Sequence, residues 1–101
     1  MAQEKLGIMI TKHENSDHLA GIVKAARASG HPVTIFMTDE GVRFTQDSIF
    51  LELLKAEGVD IAVCEYMCER LGIHGRTEGI TYGSQYDNAG MLHDSRRVLV
   101  F

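Results

Sequence analysis

The sequence has no stretch that approaches the roughly 20 apolar residues of a membrane span, no block of lysine and arginine, one proline (Pro32) and two cysteines (Cys64 and Cys68). Each scarcity excludes something. Without a long apolar run, the chain is not expected to enter a bilayer. Its 10 basic and 14 acidic residues are spread along the chain and leave a net charge of −4, so neither nucleic acid nor an anionic membrane is an expected partner. The start, Met1-Ala2-Gln3-Glu4-Lys5, lacks the charged-then-apolar order of a signal peptide, which predicts a cytoplasmic protein. In that compartment the two cysteines are expected as reduced thiols. Their C-x-x-x-C spacing is also not the C-x-x-C of thioredoxin-like redox sites. Neither G-x-G-x-x-G nor G-x-x-x-x-G-K occurs, so these phosphate loops are absent. No internal repeat or low-complexity tract interrupts the chain.

What is present fits one domain. A chain of 101 residues with 45% hydrophobic content suffices for one core spanning residues 1–101. Leu6 to Ile10 reads as a first strand, followed by a loop, Thr11 to Asn15. A helix follows, with Ser16 as N-cap and Leu19, Ile22, Val23 and Ala26 on its apolar face. Gly30 closes it and Pro32 prevents continuation. Val33 to Thr38 is the second strand. The next helix is predicted from about Gln46 to Glu57, capped by Thr45 or Asp47, with Ile49, Phe50, Leu53 and Leu54 as its stripe. Gly58 ends it.

Val59-Asp60-Ile61-Ala62-Val63 is a third strand, suited to burial on both faces despite Asp60. At Cys64 the period changes. Cys64, Met67, Cys68 and Leu71 fall at i, i+3, i+4 and i+7, one face of a helix, which Gly72 ends in the left-handed conformation. Then His74 to Glu78 forms an irregular, mobile loop. Gly79 to Tyr82 is a short fourth strand, and Ser84-x-x-Asp87 resembles a capping box before a helix holding Ala89, Met91 and Leu92. Val98 to Phe101 is a fifth strand. Strand and helix alternate throughout, which predicts a three-layer α/β domain with a mainly parallel five-stranded sheet flanked by helices.

Cys64 then lies at a strand-to-helix junction, where ligands and reactive groups collect in open α/β sheets. A thiol at a helix N-terminus meets the positive end of the helix dipole and unpaired N–H groups, which favour thiolate. The same position also suits a small hydrophobe ending a core strand. Cys68 lies on the inward stripe and reads as core packing, with a resolving thiol as its functional alternative. A metal site composed of Cys64, Cys68, His74 and His13 or His31 matches no closed zinc motif, so no metal is expected. Thr38 to Arg43 reads either as a polar turn, with Gly41 supplying an unusual backbone angle, or as a wall of the same crevice with Arg43 as an anion contact. A Mg²⁺-binding phosphoacceptor reading of Asp39 and Glu40 fails, because the third strand ends in cysteine and Arg96-Arg97 precedes the fifth.

Several segments, in consistent order, resemble the DsrE/DsrF-like family of small sulfur-relay proteins. Gly30-His31-Pro32-Val33-Thr34-Ile35-Phe36 and Thr38-Asp39-Glu40-Gly41-Val42 are similar to that family's "GHxVTIFFTDEGV" segment. Cys64 stands eight residues before Gly72-Ile73, similar to the strand-end cysteine and its "RGI" or "RGV" step. Gly83-Ser84 through Val98-Leu99-Val100-Phe101 resembles the "GS…D…VLTF" ending. Leu71 departs from the family's arginine, with Arg70 adjacent, and Arg96 departs from a commonly acidic position. The resemblance implies trimers or hexamers and a cysteine that carries sulfane sulfur as persulfide, which maps onto Cys64. A cytoplasmic sulfur carrier would accept sulfur from a donor protein and pass it to an acceptor protein. That role needs an exposed sulfur with a depressed pKa and a docking surface, but no metal or organic cofactor. Asp39, Glu40, Arg43, Arg70, His74 and His13 are the expected binding residues around the crevice. The alternative is a non-catalytic subunit of such an oligomer that binds a small ligand or a partner's loop. Phe44 and Tyr86, read as exposed in loops, suggest a surface covered in a homo-oligomer.

Overall fold

The computed structural model describes residues 4–101, apart from the side chains of Gln85, Asp87 and Leu92. Five strands, β1 (Leu6–Ile10), β2 (Val33–Met37), β3 (Val59–Cys64), β4 (Ile80–Gly83) and β5 (Arg97–Val100), alternate with helices. The helices are α1 (Ser16–Ala28), α2 (Ser48–Leu54), α3 (Glu65–Arg70) and α4 (Gln85–Asp94), and a 3₁₀ segment (Asp39–Gln46) precedes α2. The sheet order is β4-β3-β2-β1-β5, and every pairing is parallel. The chain therefore steps outward from β1 to β4 and then returns past β1 to β5.

Side-chain alternation along the strands separates two apolar layers. Ile8, Ile35, Ile61 and Val63 face α1, the 3₁₀ segment, α2 and α3, meeting Leu19, Val42, Phe44, Phe50, Leu54 and Cys68. The opposite face carries Phe36, Ala62 and Cys64, packed with Met91 of α4 and with Met9. One face is thus covered by three helices and the other by a single helix. Among the described residues, no helix is long and apolar enough to cross a membrane.

Two of the three helices predicted to close on a glycine do so. At the end of α1, Gly30 (φ 83) lets its own N–H reach Arg27 O at 3.0 Å and the His31 N–H reach Ala26 O at 2.9 Å. At the end of α3, Gly72 (φ 75) does the same, with Gly72 N–H to Glu69 O at 3.1 Å and Ile73 N–H to Cys68 O at 2.8 Å. Each pair satisfies carbonyls that the helix end would leave open.

Several local expectations are corrected. Asn15, at φ 65, is the N-cap of α1, and Ser16 is its first helical residue. Asn tolerates the left-handed conformation better than most residues. The chain from Asp39 to Gln46 winds into a 3₁₀ segment that buries Val42, Phe44 and Thr45. Phe44 is therefore core, stacked against Phe50 at 4.2 Å between ring centroids, rather than an exposed loop residue. Gly41 is not at positive φ; its role is close approach, since an added Cβ would strike the Ile10 carbonyl. The unusual angle belongs to Asp39 (φ 50).

α2 is shorter than predicted: it ends at Leu54 with Lys55 as its C-cap, so Gly58 (φ 88) turns the chain into β3 and does not close the helix. Asp47 caps it by accepting the Phe50 N–H at 3.0 Å, and the buried face is Phe50, Leu51 and Leu54. Ile49 (76% exposed) and Leu53 (49%) lie outside. Tyr86 is exposed as expected but lies on α4, not in a loop. Before α4, the Ser84 Oγ accepts the Tyr86 N–H at 3.1 Å. The reciprocal arm at Asp87 and the packing of Leu92 lie outside the described side chains. The segment from His74 to Glu78 is irregular, yet it is tied down. The Tyr82 hydroxyl accepts the Thr77 N–H at 2.7 Å, and the Thr77 hydroxyl donates to Thr45 O at 3.0 Å.

Candidate functional site

The carboxyl ends of β2, β3 and β4 lie side by side, and beyond them opens a cleft of about 800 Å³. This is the edge at which open parallel sheets collect ligands. Thr38 and Asp39 come from the end of β2, Cys64 from the end of β3, and Gly83 and Ser84 from the end of β4. The first turn of α3 adds Glu65, Tyr66 and Met67, with Glu69 on its next turn. Strand register brings the pieces together, because Cys64 pairs with Gly83 and Val63 with Met37, one residue before Thr38.

Cys64 is itself the N-cap residue of α3, with extended backbone (φ −74, ψ 108). Its side chain points to the α4 face, beside Phe36 and Met91. It is 3% exposed, so the freely exposed sulfur that the sequence reading calls for is absent; the thiol forms part of the cleft wall instead. The reason is the pleat: in β3 the even-numbered residues face α4, and the last of them is Cys64.

Cys68 goes the other way, into the apolar core on the opposite face of the sheet, and is 2% exposed. Its thiol pKa is raised, mainly by burial, further by the neighbouring Cys64 and Glu65, and against the opposing charge of Arg76. A small cavity of about 80 Å³ abuts it, bordered by His74, Arg76 and Tyr82. Arg76 closes this side by pairing with Glu65 at 2.7 Å and lying 4.7 Å from the centre of the Tyr82 ring.

Of the other expected binding residues, only Asp39 lines the cleft with Cys64. Glu40 and Arg43 form an ion pair with each other, and neither belongs to the cleft wall. Arg70 lies over the Tyr66 ring, 5.9 Å from its centre, and donates to the Tyr66 hydroxyl at 3.4 Å. His74 is on the Cys68 side. His13 packs edge-on against Phe44 at 4.6 Å. His31 is at the opposite end of β2, with Nδ1 3.0 Å from Glu4 O. Among the described residues, no group of three or more His, Cys, Asp or Glu side chains is arranged to hold a metal ion.

Thr38 belongs to the crevice wall that the sequence suggests, whereas Tyr66, Met67, Gly83 and Ser84 are wall residues that it did not single out. A signal for them existed. Once three parallel strands are laid side by side, the residues at and just past each carboxyl end share one edge, and each of these four falls there or in the first turn of the helix that follows.

No protein-family model matches the sequence, and no curated protein matches it. The fold does have a likeness among solved structures. The crystal structure of the YchN protein from E. coli, a DsrE-like fold protein, superposes on 99% of this chain and 100% of its own with a TM-score of 0.74, at 19% sequence identity. The chain therefore has a DsrE-like α/β fold, with a five-stranded parallel sheet between helices.

Proposed function

We propose that this protein is a sulfur carrier of the reducing cytoplasm, working as one subunit of a homo-oligomer, a trimer or hexamer. The observation that carries the reading is Cys64 in the wall of the cleft at the carboxyl edge of the sheet. The DsrE-like fold supports it, as does the resemblance of the segments around Thr38, Cys64 and Gly83 to sulfur-relay proteins. The Cys64 thiolate attacks the outer sulfur of a donor protein's persulfide. A new S–S bond forms to Cys64, the donor's S–S bond breaks, and its electron pair leaves on the donor's sulfur as thiolate. The transferred sulfur keeps its proton, so Cys64–S–SH is formed with no net oxidation. An acceptor thiolate repeats the exchange in the forward direction and regenerates Cys64. This parallels thiol–disulfide exchange, with sulfur as both nucleophile and leaving group.

The second reading is a non-catalytic subunit whose cleft holds a small ligand or a partner's loop. The 3% exposure of Cys64 favours it. Intact mass after incubation with a protein or peptide persulfide separates the two. The carrier gains one sulfur, lost again on reduction, and Cys64→Ser abolishes the gain while Cys68→Ser keeps it. A folded protein that takes up no sulfur is the binding subunit.

A further inference from the structure

The cleft around Cys64 is lined by three carboxylates, Asp39, Glu65 and Glu69, and among the described residues by no lysine, arginine or histidine. The nearby cations do not line the cleft: Arg43 pairs with Glu40, Arg76 pairs with Glu65 and so offsets that one lining carboxylate, and Arg70 lies against the Tyr66 ring. Asp39 and Glu69 have no ion pair among the described residues. The cleft is therefore a negative site, whereas small sulfane-sulfur donors such as thiosulfate are anions.

Its rim is aromatic. Tyr66, 62% exposed, lines the cleft, and Tyr86, 85% exposed, lies on α4 two residues after the wall residue Ser84. Exposed tyrosine faces beside carboxylates receive lysine and arginine side chains through both cation–π and charge attraction. A volume of about 800 Å³ also far exceeds what a two-sulfur anion fills and lies in the range of sites that hold sizeable ligands.

Resting on the carrier reading above, we propose that the cleft selects its sulfur partner by charge. It receives a cysteine-bearing peptide segment of a partner protein with lysine or arginine flanking the cysteine, and it repels small anionic sulfur donors. Asp39 and Glu69 are the specificity-determining residues. Glu65, already paired with Arg76, contributes less. The sulfur step is unchanged: the partner's S–S bond breaks toward the partner's sulfur as the bond to Cys64 forms.

Two synthetic peptides of equal length test this, each with one central cysteine flanked by lysines in one and glutamates in the other. Serine-for-cysteine versions report binding by fluorescence anisotropy, and persulfide-loaded versions report sulfur uptake by intact mass. The wild type binds the lysine peptide about tenfold more tightly at low ionic strength. That preference collapses near 1 M salt, where the Debye length is only about 3 Å, and in the Asp39→Asn/Glu69→Gln variant. Asparagine is chosen because it tolerates the positive φ of Asp39. Equal binding of the two peptides by the wild type overturns the charge selection. So does a preference that survives in a folded Asp39→Asn/Glu69→Gln protein. Retained preference without sulfur uptake from either persulfide leaves the charge selection standing and sinks the carrier reading instead.

Discussion

Cys64 and Cys68 are four residues apart, and the chain between them sends one to each side of the sheet. Cys64 ends β3 on the α4 face, and Cys68 enters the core on the opposite face. That division gives Cys68 a pH signature. Burial raises its thiol above the ordinary value, so the folded state holds the proton after the unfolded chain has lost it. The stabilisation linked to this proton is complete below the unfolded pKa. It is lost as the pH rises from there through the folded value. Cys68→Ala removes this term and costs about 1–2 kcal/mol in lost packing at neutral pH. Denaturant melts at about pH 7 and pH 10 should show the wild type losing more stability on alkalinisation than Cys68→Ala. Equal losses would assign the alkaline sensitivity to other groups. The inward position of Cys68 was legible from its place beside Met67 and three residues before Leu71 on one helix face, but the same stripe took in Cys64, which the pleat of β3 sends to the other side of the sheet. The partner of Arg43 was not legible, because its i,i+3 pairing with Glu40 depends on the helical winding of residues 39–46, whereas Tyr66 and Arg70 stand at the i,i+4 spacing of helical neighbours.

At the scale of elements, the strands were the most legible parts. Runs such as Val33 to Met37 are buried on both faces and need no partner identity to be recognised. The glycine-ended helices were legible for a similar reason, since Gly30 and Gly72 act through their own backbones. The 3₁₀ segment was not. Its eight residues are bent inward by the burial of Val42 and Phe44 and by the contact of Gly41 with β1, which no local pattern encodes. The phase of α2 was lost with it. Each residue advances a helix by about 100°, so exchanging Ile49 and Leu53 for Leu51 on the buried face is a modest rotation set by where the helix starts. Asp47 sets that start. In a helix of only seven residues the cap is a large share of local stability. Asp47→Ala should therefore cost about 0.5–2 kcal/mol, while Asp47→Asn keeps most of it. Thermal unfolding of the two variants checks this, and an unperturbed Asp47→Ala would remove the cap from the account.

For the whole molecule, the radius of gyration of 12.6 Å is that of a compact chain, close to the roughly 13 Å expected for 100 residues. Compactness leaves apolar surface outside. Ile49 and Leu53 stand one turn apart on α2, and Leu53 borders a recess formed with Ala20 and Gly21 of α1. On the far side, Val100 of the edge strand β5 is 60% exposed. The α2 ridge beside the α1 recess offers a surface that a second copy can cover, since ridge and hollow lie on the same face and copies related by rotation can exchange them. We expect light scattering at micromolar concentration to give three or six times the monomer mass. Because Ile49 and Leu53 are exposed, replacing both by lysine should leave the fold's stability within about 0.5 kcal/mol while placing charge in the contact. The Ile49→Lys/Leu53→Lys protein should then be a folded monomer. A wild type that is already monomeric removes the assembly, and a variant that stays assembled moves the contact to another surface, with β5 and its Val100 next in line.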